Sequence, residues 1–279
     1  MDIKWLCSQF PDLRNIVPLA QGGFKVVFTA NHATDGEVVL KIIKPSNPAE
    51  IGREIRAVRE IQSPRIPKIF ADGIISTPLG KFFWFREQKI NGLPVNQILS
   101  AGPMEGRDVL KLGLHVLEVL EKAEQAKIVH RDIKPANLIR ANDGCTWVLD
   151  FGIARHLSLD SLTPTGAPGR GTAGYAPPEQ VKNLKREIDS RTDLFALGVT
   201  LFECATGINP FSRGAFDQYE VLRRAEMDEL PRLPPHIGSI GQFQDLIDSM
   251  TQKRPSQRVP TAREALEWLR SICVREGIS

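Results

Sequence analysis

Two carboxylates, an amide and a lysine stand close together within residues 128–152. Asp132, Lys134 and Asn137 lie in a polar segment, and Asp150 follows the next apolar run. Two short apolar runs on either side of a polar loop allow these side chains to converge on one point. Carboxylate and amide oxygens suit Mg²⁺, which usually takes one or two carboxylates together with substrate phosphates. The stretch therefore predicts a magnesium site that handles phosphate groups.

The same stretch reads H-R-D-I-K-P-A-N and then D-F-G, and it resembles the protein kinase signature H-R-D-L-x-x-x-N with D-F-G. The resemblance implies that Asp132 accepts the proton of the substrate hydroxyl or orients that hydroxyl. Asn137 and Asp150 would hold Mg²⁺, with Mn²⁺ as an alternative, and Lys134 would neutralise the γ-phosphoryl group of ATP. The segment H-R-D-I-K-P-x-N is similar to serine/threonine kinases rather than tyrosine kinases.

Lys41 interrupts an otherwise apolar stretch, residues 37–43. A lysine within a buried strand is costly unless it is paired, so this position is a functional signal in its own right. The stretch resembles the V-A-I-K strand of kinases, whose lysine holds the α- and β-phosphates of ATP, with Val39 in place of alanine. A lysine pointing to solvent from an edge strand is the alternative.

Apolar residues recur at helical spacing in residues 49–61 and predict a helix. In a kinase a glutamate of this helix orients the strand lysine. Glu54 is the expected partner of Lys41, with Glu50 and Glu60 as competitors.

Residues 19–28 read as a strand, a Gly-rich turn at Gly22 and Gly23, and a second strand. In a kinase this turn covers the ATP phosphates, because glycines allow backbone N–H groups to approach the oxygens. Ala20 and Lys25 stand where G-x-G-x-x-G has its first and third glycines. An ordinary structural turn is the alternative interpretation.

Residues 81–92 read as a strand that leads into a turn and resemble the hinge strand of kinases. Aligned on Gly92, the backbone from Gln88 to Ile90 faces adenine, and Glu87 occupies the gatekeeper position before it. Aligning on Glu87 instead shifts this assignment by one residue. The resemblance adds further residues to the nucleotide-binding set: Leu19, Val27, Val39 and Ile139.

The segment 153–179 is rich in Gly, Pro, Ser and Thr and closes with G-T-A-G-Y-A-P-P-E. A loop of this length is usually functional or disordered, and its ending resembles that of a kinase activation segment. Thr163 and Thr165 form a T-x-T like paired autophosphorylation sites, and Arg131 could pair with such a phosphate. Ordinary solvated threonines are an equal alternative.

Three further residues gain roles from the resemblance. Asp193, at the start of D-L-F-A-L-G, would hold the backbone of the catalytic loop. Arg258, in R-P-S-Q-R, would pair with Glu179 of the P-P-E ending. The leucines of residues 108–126 predict a helix that mounts the loop, with His115 as an ordinary helix residue.

The composition is that of a globular protein, with 279 residues of which 42% are hydrophobic. The net charge of +3 and the lack of basic and aromatic patterning argue against nucleic acid as a partner. No run of about 18 apolar residues predicts a membrane span. Four scattered cysteines and the absence of a signal-peptide pattern favour a cytoplasmic protein with free thiols.

We therefore expect an α+β protein kinase fold with two lobes in a single domain, residues 1–279. The predicted N-lobe, 16–91, has an antiparallel sheet and one helix. The predicted C-lobe, 92–279, is mainly helical and includes the activation segment, 150–179. Protein substrates, a regulatory partner protein and a homodimer that autophosphorylates in trans are the expected partners.

Two other functions would use the same fold. A nucleotide-binding scaffold without activity is supported only by the altered Gly-rich turn, whereas Lys41, Asp132, Asn137 and Asp150 are all present. A small-molecule kinase would share the catalytic residues. It does not usually combine Lys134 with a G-T-x-x-Y-x-x-P-E segment, whose role is to seat a peptide.

Overall fold

The computed structural model describes residues 2–21, 25–44, 48–77, 80–151, 173–238 and 242–278. Two compact units account for these residues. The first unit holds the described residues up to Glu60 together with Pro67–Asn91. The second unit holds Ile61–Ile66 and the described residues from Gly92 onward. The boundaries of the first unit differ from those of the expected N-lobe, 16–91. The unit also includes the described residues before 16, and it does not include 61–66.

A five-stranded antiparallel sheet forms the centre of the first unit, in the order β1-β2-β3-β5-β4. The strands are β1 (Leu13–Gln21), β2 (Lys25–His32), β3 (Gly36–Ile43), β4 (Ile69–Thr77) and β5 (Gly80–Gln88). β4 begins at Ile69, two residues after Pro67, which has no N–H to donate to a strand ladder.

One face of this sheet packs against a short N-terminal helix, α1 (Ile3–Gln9). Leu6 and Phe10 lie in one apolar cluster with the strand residues Leu40 and Ile42. The ring of Phe10 meets Trp84 edge to face, with 5.0 Å between centroids. This helix precedes the predicted N-lobe, 16–91, so it does not conflict with the single helix expected there. Burial of Leu6 and Phe10 makes the N-terminal helix part of the core.

The opposite face carries Lys41. Val27, Lys41 and Phe85 are register partners on three adjacent strands, so their side chains share this face. Helix α2 (Pro48–Arg59) packs on the sheet here, because a Cβ on its Gly52 would lie 3.4 Å from Phe83, two residues before Phe85. The predicted helix of 49–61 therefore covers the side of the sheet that its glutamate is expected to serve.

The second unit is mainly helical. Its helices are α3 (Val95–Leu99), α4 (Gly106–Gln125), α5 (Pro178–Val181), α6 (Ser190–Thr206), α7 (Gln218–Met227), α8 (Pro235–Gly238), α9 (Phe243–Met250) and α10 (Ala262–Arg275). A small antiparallel sheet consists of β6 (Gly92–Pro94), β7 (Leu138–Ala141) and β8 (Thr146–Val148). Among the described residues, no helix is long and apolar enough to cross a membrane.

Helix α6 is the core of the second unit, buried along almost its whole length, with α4, α9 and α10 packed around it. Its N-cap is Asp189, and Gly207 ends it at φ 74°. A Cβ on Gly198 would lie 2.6 Å from Thr251, so glycine lets α6 and α9 approach closely. Because α6 is buried and closely packed, its first turn can hold other residues in place.

Candidate active site

The β7–β8 hairpin brings two of the predicted metal ligands to one end of the small sheet. Leu138 pairs with Val148 in the antiparallel register. One residue further out, the amide of Leu149 donates to the carbonyl of Asn137 at 2.9 Å. Asp150 is the next residue of the chain. Its backbone therefore lies beside Asn137, as the convergence argued from sequence requires.

Asp132 is the centre of the predicted catalytic loop. Lys134 Nζ lies 2.7 Å from Oδ2 of Asp132. The Nδ2 of Asn137 donates to the same carboxylate at 2.7 Å and to the carbonyl of Asp132 at 2.8 Å. Both donor contacts of Asn137 use its amide nitrogen, which directs its Oδ1 away from Asp132. The loop thus brings together three predicted residues around one carboxylate.

Asp193, in the first turn of α6, holds this loop by its backbone. Its carboxylate oxygens accept hydrogen bonds from the amides of His130 and Arg131, each at 2.7 Å. The predicted role of Asp193 is confirmed. Burial raises the pKa of this carboxyl group, because desolvation penalises the charged form, while the two amides and the charge of Arg131 act in the opposite direction.

His130 links the loop to the second strand of the hairpin. Its Nδ1 accepts from the amide of Asp132 at 3.2 Å, and its Nε2 lies 2.7 Å from the carbonyl of Leu149. Both contacts are satisfied when Nε2 carries the proton and donates to Leu149. The ring also packs against Phe151, with 4.5 Å between centroids. A fully buried histidine thus connects Asp132 with the residues that flank Asp150.

The peptide groups of Arg131 are held on both sides. Asp193 accepts from its N–H, and Gln180 Nε2 donates to its carbonyl at 2.8 Å. Arg131 has a φ of 68° and Asp150 one of 62°, values uncommon for residues other than glycine. Such backbone conformations persist when the surrounding structure determines them. Gln180 was missed by sequence reasoning, because a side chain that bonds a distant carbonyl leaves no local pattern.

Helix α4 supports the hairpin through His115. The Nδ1 of His115 accepts from the amide of Thr146, in β8, at 3.1 Å. Burial lowers the pKa of this histidine, with the charge of Arg65 adding to the effect. A lowered pKa favours the neutral ring, which is the form that can accept a hydrogen bond. The helix is therefore a mount for β8, and His115 is a packed helix residue as expected.

Glu179 and Arg258 form the predicted ion pair. Arg258 donates to both carboxylate oxygens, at 2.6 and 2.9 Å, and the two side chains are 0% and 1% exposed. Thr192 donates a further hydrogen bond to Glu179 at 3.0 Å. The pair fixes the described end of the predicted activation segment to the helical core.

In the first unit, Lys41 forms an ion pair with Glu87. Both side chains are buried, at 5% and 8% exposure. The ammonium of Lys41 also lies over the ring of Phe85, 5.4 Å from its centroid. Sequence reasoning placed Glu87 before the adenine-facing backbone and missed its ion pair with Lys41. Glu54 lies half-buried on α2, and its pairing with Lys41 stays a prediction.

The predicted hinge begins where β5 ends, at Gln88. The amide of Gln88 donates to the carbonyl of Lys68 at 2.8 Å, and the amide of Lys89 donates to the backbone carbonyl of Glu37 at 3.3 Å. These bonds tie the start of the hinge to its neighbours, and Ile90 follows partly buried. The adenine-facing role of Gln88 and Ile90 stays a prediction.

The other nucleotide-binding candidates are spread over both units. Val27 and Val39 are buried on the Lys41 face of the sheet, whereas Leu19 is 60% exposed on β1. Ile139 is half-buried in β7 of the second unit. Gly22 and Gly23 lie outside the described residues, as do the predicted phosphorylation sites Thr163 and Thr165.

Comparison with known proteins identifies the family of this chain. Residues 13–269 match the model of the protein kinase domain. The probable serine/threonine-protein kinase PkwA of Thermomonospora curvata is 30% identical over 259 residues, which is 92% of this chain and 33% of that protein.

Other relatives are similar at the same level. Serine/threonine-protein kinase PknB of Mycobacterium tuberculosis is 29% identical over 82% of this chain and 37% of its own length. The probable serine/threonine-protein kinase CPE1738 of Clostridium perfringens is 28% identical over 91% of this chain and 37% of its own. The chain spans about a third of the length of these curated relatives. With its α+β fold, this chain belongs to the protein kinase domain family.

Proposed function

We propose that the chain transfers the γ-phosphoryl group of ATP to serine and threonine hydroxyls of protein substrates. The arrangement around Asp132 carries this proposal, because Lys134 and Asn137 both contact its carboxylate. The relatives named as serine/threonine-protein kinases support the same activity.

Asp132 would orient the attacking hydroxyl and accept its proton, since its carboxylate is held from two sides. Lys134 would place positive charge beside the transferred group. The bonds from the His130 and Arg131 amides to Asp193 keep the loop in place without rearrangement. Phosphoryl transfer depends almost entirely on positioning and electrostatic stabilisation, and these contacts supply both.

Asn137 and Asp150 would hold a divalent cation, for which we propose Mg²⁺, with Mn²⁺ as the alternative. The donor set fits such an ion, since an amide oxygen and a carboxylate are hard ligands. Such an ion would offset the negative charge that develops on the phosphate groups during transfer. The β7–β8 register supports this assignment, because it brings the backbone of Asp150 beside Asn137.

ATP would bind through the residues that the resemblance to kinases assigns to the nucleotide. Lys41 would contact the α- and β-phosphates, oriented by Glu54. Gln88 and Ile90 would offer backbone groups to adenine. The remaining contacts would come from Leu19, Gly22, Gly23, Val27, Val39 and Ile139. The buried valines beside Lys41 support an apolar surface for the base.

Autophosphorylation of Thr163 or Thr165 is part of the proposal, as are cytoplasmic protein substrates, a regulatory partner protein and a homodimer that phosphorylates in trans. Arg131 supports the first of these, since a guanidinium next to the catalytic aspartate can pair with a phosphothreonine. Intact-mass measurement of the wild type and of an Asp132→Ala variant tests it. Unmodified threonines in active wild-type protein would count against autophosphorylation.

The decisive experiment measures transfer from ATP labelled in its γ-phosphate, with Mg²⁺ and a generic basic acceptor protein. Asp132→Asn keeps the shape of the side chain and removes the charge. Asp143→Asn makes the same change in the exposed β7–β8 turn and is the matched control.

We expect Asp132→Asn to lower kcat by about 10²–10³, the usual effect of one lost electrostatic contact, and Asp143→Asn to match the wild type. Acid hydrolysis of the product should yield phosphoserine and phosphothreonine. Equal transfer by both variants, or label found only on tyrosine, would contradict the proposal.

A further inference from the structure

The ion pair between Lys41 and Glu87 joins two neighbouring strands on one face of the sheet. Lys41 is the register partner of Phe85, and Glu87 is the partner of Val39. The two charged residues are therefore diagonal neighbours across β3 and β5, within reach of long side chains. Both are almost fully buried. The contact thus belongs to the interior of the first unit.

A buried carboxylate of this kind depends on its counter-ion. Taking a charge out of water is costly, and removing one partner of a buried pair leaves the other uncompensated. Any anion that takes the ammonium of Lys41 away from Glu87 therefore has to overcome that cost. It also brings a second negative charge towards the Glu87 carboxylate.

We infer that Glu87 is an internal competitor for Lys41 that weakens nucleotide binding through the phosphates. The inference rests on the proposed role of Lys41 as the ligand of the α- and β-phosphates. The ammonium has three N–H donors, so sharing between Glu87 and a phosphate moderates the competition. Glu87 is thus a residue that determines the affinity for ATP, in addition to its place before the hinge.

The competition depends on the phosphates and not on the base. Adenosine carries no anionic group that could compete with Glu87 for Lys41, whereas ATP and ADP carry phosphates. Neutralising Glu87 should therefore tighten the binding of ATP and ADP and leave that of adenosine unchanged. The nucleotide-free variant should also melt at a lower temperature, because buried Lys41 loses a carboxylate partner.

Calorimetric titration of Glu87→Gln with ATP, ADP and adenosine, in the presence of Mg²⁺, tests the inference. We expect Kd for ATP and ADP to fall about tenfold relative to the wild type, the lower end of what a close charge pair contributes to binding. Glu267→Gln is the matched control, since it removes a carboxylate of an exposed pair with Arg263 on α10. Its titrations should equal those of the wild type.

Two results would overturn the inference and leave the proposed function intact. One is an ATP affinity of Glu87→Gln that is equal to or weaker than that of the wild type. The other is a gain that adenosine shows as well. If the wild type itself bound neither ATP nor ADP, the proposed function would fail and the inference with it. Should Glu87→Gln show no cooperative melting, Glu87→Met makes the same comparison with an apolar side chain of similar length.

Discussion

Arg258 and Glu179 make a two-pronged ion pair in the interior of the second unit, although they are far apart in sequence. Loss of one partner would leave a buried charge without compensation. We therefore expect Arg258→Met to lower the free energy of unfolding by about 3–5 kcal/mol. Chemical denaturation measures the change.

Arg263→Met is the comparison for that experiment, because Arg263 pairs with Glu267 on the surface of α10. Exposed pairs of this kind contribute little to stability. The midpoint of denaturation should stay at the wild-type value for Arg263→Met. A similar loss in both variants would show that burial of the Glu179 pair is not what stabilises the protein.

Asp193→Asn should impair catalysis more than folding. Asparagine can accept one of the two amide hydrogen bonds but has an NH₂ group where the second acceptor stood. The catalytic loop would shift, and a misplacement of about 1 Å can cost about 10² in rate. We expect kcat to fall by about that factor while the protein still melts cooperatively.

Asp189→Asn controls for this change on the same helix. Asp189 caps α6 through the amide of Arg191, and asparagine is an equally good N-cap. Its kcat should remain near that of the wild type. If both variants lost activity equally, the effect would come from α6 as a whole and not from the loop.

Asn137→Ala should raise the Mg²⁺ concentration needed for half-maximal activity by at least about tenfold, since even residues that only orient ligands change metal affinity by that factor. A Mg²⁺ titration of kcat at saturating ATP measures it. Asn142→Ala, in the exposed hairpin turn, is the control. A lower kcat with an unchanged Mg²⁺ requirement would mean that Asn137 acts only by holding Asp132.

The burial of Lys253 predicts how the free energy of unfolding changes with pH. Its ammonium donates to the carbonyl of Ala225 at 2.9 Å and lies over Phe211, 4.8 Å from the ring centroid. Burial is the main cause that lowers its pKa from 10.5 to about 8. The folded protein therefore loses this proton at lower pH than the unfolded chain. The cost of burying the charge is present in full below about pH 8 and is relieved as the pH rises toward 10.5.

The free energy of unfolding of the wild type, minus that of Lys253→Met, should therefore increase between pH 8 and pH 10 or so. Groups that titrate in both proteins cancel in this difference. Lys185→Met, at an exposed position, should show no such trend. A flat difference for Lys253→Met would show that the environment of Lys253 leaves its proton affinity unchanged.

The sequence predicted best those parts of the site whose residues are only a few positions apart in the chain. Asp132, Lys134 and Asn137 lie close together in one loop, residues 132–137, so short spacing in the chain is enough to predict that they are neighbours. Asp193 and the Arg258–Glu179 pair are distant in sequence. They were predictable only because their surrounding motifs resemble those of kinases.

Other contacts depend on strand register and on tertiary packing, which no local pattern encodes. The ion pair of Lys41 with Glu87 requires that Lys41 face Phe85 across β3 and β5, and a shift of one residue would turn Glu87 to the other face. The bond from Gln180 to Arg131 depends on how α5 meets the loop. The burial of α1 likewise depends on apolar partners from several strands.

In the β7–β8 hairpin, residues that are distant in the sequence lie close together in space. Asn137 and Asp150 are held by pairing at the open end of the hairpin, whereas residues 142–144 at its closed end are exposed. Lengthening a flexible loop costs little, about 0.6 kcal/mol for each doubling of its length. A peptide tag or a fluorophore-bearing insert could therefore enter at the turn while Asn137 and Asp150 keep their positions. The turn thus offers a place to attach a reporter that leaves the strand pairing at the other end of the hairpin intact.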